Sequence, residues 1–129
     1  YASGEPLSFM RAIHAENLRR LRDAGVRLAL GGDQYGSDLF AELNILNSYG
    51  LFTSSQLLAI ATSNGAAFIF PDRRVGRLDA GYEASFLAYP FDPRGQLLRL
   101  DEPMFAVKSG RAVAGGEGIL PEGCAPPVE

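Results

Sequence analysis

The sequence predicts an α/β fold, the carboxyl-terminal part of a larger barrel of helix-covered parallel strands followed by a small β unit. Three observations carry that expectation. Val26-Arg27-Leu28-Ala29-Leu30 places four apolar residues in five, the pattern of a strand buried on both faces. Helical patterns flank this run, giving helix, strand, loop, helix. From Asp72 onward the helical period gives way to short alternating runs punctuated by glycine and proline.

A strand buried on both faces needs neighbours on both edges. No second run of this kind occurs in the 129 residues. Burying its amides and carbonyls unpaired costs about 1–3 kcal/mol each. The partners are therefore expected from residues upstream or from another chain. An opening on Tyr1 rather than Met fits residues upstream.

Composition narrows the partner classes. At 47% hydrophobic and 21% charged residues the chain is ordinary globular material. A net charge of -3, with arginines scattered among acids, gives no nucleic-acid footprint. No apolar run approaches the ~20 residues that span a bilayer. Cys124, alone in the chain, has no internal disulfide partner. Composition therefore gives no ground for nucleic acid or membrane as a partner.

Each element rests on local pattern. Residues 1–8 read as a loop ending in a helix cap. Met10, Ile13, Leu18, Leu21 and Ala24 recur at helical spacing, predicting an amphipathic helix from Ser8 to Ala24 closed by Gly25 in the left-handed region. His14, at the edge of that stripe, reads as a boundary residue rather than a ligand. Ser37 or Asp38 is placed to cap a second helix carrying Leu39, Leu43 and Leu46, with Phe40 alongside and Gly50 at its end. Thr53 and Gln56 form a capping box and Phe52 with Leu57 a hydrophobic staple, predicting a helix from Ser54 to about Thr62. Ser63-Asn64-Gly65 is expected to interrupt it, with a short turn at 66–70. Strands are expected at 84–89, 97–100 and 104–108, with Ser109-Gly110 turning a hairpin into Arg111-Ala112-Val113. The boundaries expected are 1–71 for the barrel part, 72–115 for the β unit and 116–129 for an irregular tail.

Asp33 comes after Gly31-Gly32, where the buried strand should end. In parallel sheets, chemistry gathers at the carboxyl ends of strands. Asp after Gly-Gly is also an ordinary turn residue that bonds its own backbone. Both readings stay open on pattern alone. Gly31-Gly32…Gly36-Ser37 has the outline of a phosphate cradle at a helix start, but lacks the lysine and spacing of a P-loop.

Five segments resemble the amidohydrolase superfamily, in its imidazolonepropionase-like or dipeptidase-like branch. Residues 17–26 are similar to the seventh barrel helix leading into the eighth strand, and Leu30-Gly31-Gly32-Asp33 to that strand's ending. Leu58-Ala59-Ile60-Ala61-Thr62-Ser63-Asn64-Gly65-Ala66 resembles the Ala-Thr-x-Asn-x-Ala segment after the barrel. Residues 75–87 resemble the Gly-x-Leu-x-x-Gly-x-x-Ala-Asp lead into the accessory β-sandwich, and 107–113 its closing Val-x-x-Gly-x-x-Val hairpin. Gly32 stands where relatives have Thr or Ser, and Ser85 where most have Asp.

The resemblance implies a (β/α)8 amidohydrolase barrel whose carboxyl-terminal part is followed by part of a small β-sandwich. It implies hydrolysis of amide or cyclic amide bonds with a divalent metal, commonly zinc. It gives Asp33 the roles of metal ligand and proton shuttle, and sets Gln34 and Tyr35 at the border of the substrate pocket. The family's His-x-His, bridging lysine and strand histidines have no counterpart here, so the chain alone is expected to be inactive. The alternative is a non-catalytic remnant or subunit-pairing module that keeps the fold. A small nucleotide-binding domain using Gly31 to Ser37 ranks last.

Overall fold

A computed structural model describes residues 5–32 and 39–115. Helix α1 spans Glu5–Asp23, three residues earlier at its start than the apolar spacing predicts. It ends as expected, on Gly25 at φ 72°, with the Val26 amide returning to the Leu21 carbonyl at 3.0 Å. Helix α2 spans Leu39–Ser48 and stops at Gly50, φ 65°. The expected caps of α2, Ser37 and Asp38, lie outside the described residues, as does the 116–129 tail.

Helix α3, Ser54–Ala59, begins on the capping box read from the sequence. The Gln56 amide donates to Thr53 Oγ1 at 3.3 Å, and the Thr53 amide donates to Gln56 Oε1 at 2.8 Å. Phe52 packs on the cluster that contains Leu57, as a staple should. The expected break at 63–65 does not occur. The chain widens into a π turn, Ile60–Asn64, and continues as helix α4, Gly65–Ile69. Thr62 and Ser63 hydroxyls reach back to the carbonyls of Leu58 at 2.7 Å and Ala59 at 3.4 Å. Such back-bonding supports carbonyls that an irregular turn disturbs.

The β unit is a three-stranded antiparallel meander of β1, Phe86–Ala88, β2, Phe105–Lys108, and β3, Arg111–Gly115. Ser109 at φ 51° and Gly110 at φ 79° join β2 to β3. Two positive φ values in a two-residue loop define a type I′ turn, whose twist matches a hairpin. The expected strand at 97–100 is instead a 3-10 turn, Leu97–Arg99. The reason is packing: in a strand, residues 97 and 100 would face opposite ways, whereas a three-residue period stacks them. Both are buried, with Leu43 of α2 and Leu57 of α3, in one cluster that spans both sides of residue 72. Tyr89 packs on that cluster and donates from its hydroxyl to the Leu100 carbonyl at 2.7 Å.

The 26–30 run departs furthest from expectation. Among the described residues it joins no sheet, and Val26 is 48% exposed. Only Leu28 and Leu30 are half-buried along it. Its apolar pattern predicts a strand covered on both faces; in this chain neither edge has a described strand to pair with.

Candidate functional site

The sequence directs attention to the end of the 26–32 segment. Asp33, Gln34 and Tyr35 lie outside the described residues, so the site is built from the segment that leads to them and the groups around its approach. Gly31 and Gly32 are exposed, and a side chain at Gly31 would meet nothing within 4 Å.

An open cleft of about 450 Å³ runs between α1 and α2, with residues 28–31 as one wall. His14 and Asn17 of α1, with Glu42 of α2 and Tyr49 just beyond it, supply its polar groups; Leu18, Leu46 and their neighbours supply an apolar lining. His14 is exposed, as its position at the edge of the helical stripe predicts. Among the described residues no three His, Cys, Asp or Glu side chains converge as a metal would need.

Arginines lean α1 against the end of α2 and the turn after it. Arg11 donates to the Ser48 carbonyl at 2.9 Å and to its hydroxyl at 2.8 Å, and lies 4.8 Å over the Tyr49 ring. Arg22 donates to the Leu51 carbonyl at 2.6 Å. Within α1, Arg20 and Arg19 hold the Glu16 carboxyl below its ordinary range, chiefly through the Arg20 hydrogen bond.

The 26–32 segment is pinned from the helical stretch 60–69. Asn64 Nδ2 donates to the Leu28 carbonyl at 2.8 Å, and the Arg27 guanidinium lies 5.2 Å over the Phe68 ring. Local pattern marks Asn64 only as part of an interruption. Its place inside the Ala-Thr-x-Asn-x-Ala resemblance is the signal that points further.

A second polar cluster sits in the β unit. Glu83 Oε1 accepts from Ser85 Oγ at 2.7 Å and from Ser109 Oγ at 3.0 Å, while Oε2 pairs with Arg73. Those donors, Ser85 first, depress the Glu83 carboxyl to about 2.

Comparison with known proteins then adds one positive finding. The model of the amidohydrolase family matches residues 8–116. No match was found among curated proteins or solved structures.

Proposed function

The chain belongs to the amidohydrolase family, and on that premise we propose that the complete protein hydrolyses amide or cyclic amide C–N bonds with a divalent metal, Asp33 being the carboxylate this chain contributes. Membership carries hydrolase chemistry, and members of the family generally use divalent metals. The observation that carries the reading is the length of the match. Residues 8–116 take in the 26–32 segment, Asp33 after its glycines, the capped helix and the β hairpin.

A carboxylate oxygen suits a borderline ion such as zinc. One carboxylate does not hold such an ion, since a catalytic zinc takes three protein ligands. The other donors are assigned to residues outside this sequence or to another chain, as are the strands that would pair with residues 26–32 and close a (β/α)8 barrel. When bound, the ion supplies a water of lowered pKa and a polarised carbonyl. The chain's own contribution is acid–base: Asp33 takes a proton at its carboxylate oxygen and returns it to the leaving nitrogen. Gln34 and Tyr35, next along the chain, border the small-molecule substrate.

The test is Asp33→Asn in the complete protein, assayed on a panel of linear and cyclic amides. Turnover is expected to fall by about 10²–10⁴, the range for losing a general acid–base group, with circular dichroism unchanged. Normal turnover in that variant defeats the assignment. The unpaired 26–32 segment and the exposed stripe of α1 also favour a second reading, a non-catalytic module that pairs with another chain. Metal analysis separates the two: a complete protein free of divalent metal supports the module.

A further inference from the structure

We propose that a second pocket, at the start of the 26–32 segment, binds a small organic carboxylate, its head held by arginine and amide donors and its body by an apolar floor. The inference goes beyond the proposed hydrolase chemistry and does not rest on it, since that reading uses none of the pocket's residues.

The pocket measures about 210 Å³ and lies between the end of α1, residues 25–28, and the helical stretch that begins at α3. Its polar lining is Arg22, Arg27, Gln56 and Asn64, with neither a carboxylate nor a histidine; Phe52 and Ile60 belong to its apolar lining. The π turn explains how Gln56 and Asn64 reach one pocket. In an unbroken α-helix residues eight apart diverge by about 80°, but the residue that a π turn inserts takes up about 100° and leaves them about 20° apart.

The bonds these side chains already make leave donors to spare. Arg22 is anchored to the Leu51 carbonyl at 2.6 Å and to Asp23 at 2.8 Å, and keeps further guanidinium N–H groups. Gln56 commits its acceptor, Oε1, to the Thr53 amide at 2.8 Å, so the N–H groups of Nε2 remain. Asn64 spends one N–H on the Leu28 carbonyl at 2.8 Å and keeps the other. The Arg27 guanidinium lies 5.2 Å over the Phe68 ring and has no ion pair among the described residues.

A guanidinium without a counter-ion, set among amide donors, is the chemistry that recognises an anion, and its forked N–H groups match a flat carboxylate. The apolar lining argues against a bare inorganic anion, whose remaining oxygens would be desolvated there without donors. A carboxylate on a small apolar body satisfies both halves, and the volume, below the ~300–1,000 Å³ of drug-sized sites, keeps that body small. Pairing of residues 26–32 with further strands leaves this intact, because pairing uses backbone edges whereas the donors here are side chains. Chemistry in a parallel barrel lies at the carboxyl ends of its strands. This pocket lies at the amino end of the segment, so it is a second site rather than the substrate pocket.

The experiment uses the complete, metal-loaded protein and three probes: benzoate, benzyl alcohol, which keeps the body without the charge, and inorganic phosphate, which keeps the charge without the body. Hydrogen exchange reports where each binds. Benzoate is expected to slow exchange saturably at 22–28 and 54–64, with the other two about tenfold weaker or more at those residues. Arg27→Met keeps an apolar stem beside Phe68 and removes the charge. It is expected to weaken benzoate there by about 10- to 100-fold, the worth of a hydrogen bond to a charged group, and Arg27→Lys to recover part of the loss. Gln56→Glu is the second variant should Arg27→Met fail to fold. It keeps the capping box while setting a like charge against the carboxylate, and should weaken benzoate as well. Benzoate protection absent from 22–28 and 54–64 at millimolar concentration, or found only elsewhere, overturns the proposal. So does equal protection by benzyl alcohol or phosphate, or wild-type benzoate affinity in the folded variants.

Discussion

Glu83 joins three parts of the chain through one carboxylate. Arg73 comes from the loop after α4, Ser85 from the residue just before β1, and Ser109 from the hairpin tip, whose amide also donates to Ser85 Oγ at 2.9 Å. All these partners favour the charged form, which is why the carboxyl is depressed from 4.5 to about 2. A depressed carboxyl contributes stability above its unfolded value and loses it as pH falls toward its folded value. Thermal midpoints of wild type and Glu83→Gln should therefore differ at pH 7 and converge as pH drops from about 4.5 toward 2. A gap independent of pH would show that the charge contributes nothing. The cluster also gives a physical reason for Ser85, where the family resemblance expects Asp. A hydroxyl donates to Glu83, whereas a carboxylate there would set two like charges side by side. Ser85→Asp should lower the midpoint, and adding Glu83→Gln should recover most of the loss; additive losses would refute the coupling.

Among the elements, those legible in the sequence are fixed by a short-range device. Thr53 with Gln56, Gly25, Gly50 and the Ser109-Gly110 turn all behave as their local chemistry requires. Thr53→Ala should cost about 1 kcal/mol by urea unfolding, the usual worth of an N-cap. Elements set by distant packing are not legible in this way. The 97–100 segment is a 3-10 turn rather than a strand because Leu97 and Leu100 share a cluster with Leu43 and Leu57, which no local pattern announces. The π turn escapes local reading too, since Gly65 continues the helix at φ -57° instead of ending it. Two glycines then separate strain from contact. Gly110, at φ +79° with nothing within 4 Å of its Cβ, should cost about 1–2 kcal/mol on mutation to Ala, from backbone conformation alone. Gly76→Ala should cost clearly more, because it adds the clash with Ala66. Equal losses at the two positions would mean that the approach at Gly76 is easily relaxed.

At the scale of the whole molecule, the apolar residues divide unevenly. Among the described residues six apolar side chains are buried, while fifteen large ones are exposed. Part of the exposed set lies together: Leu21 and Ile45 line the cleft, Val26 begins the unpaired segment, and Met10 and Ile13 lie on α1 with Leu21. Asn44 of α2 keeps a buried side-chain oxygen without a partner among the described residues. An amphipathic helix whose apolar stripe meets solvent, next to a strand-like run with open edges, is an interface in search of its other half. The sequence makes that legible as a burial problem, and it names Asp33, Gln34 and Tyr35 through the family resemblance, while the structure describes the approach to them only up to Gly32. The chain of 129 residues on its own is accordingly expected to bind a hydrophobic dye and to self-associate at micromolar concentration in analytical ultracentrifugation. An assembly in which further strands or another chain cover that surface should do neither. Replacing Met10, Ile13 and Val26 by Ser should disperse the isolated chain without disturbing the Leu43–Leu57 cluster, which they do not join. An isolated chain that stays monomeric, excludes the dye and unfolds cooperatively would show that the open face needs no partner, and would remove the ground for expecting further strands beside residues 26–32.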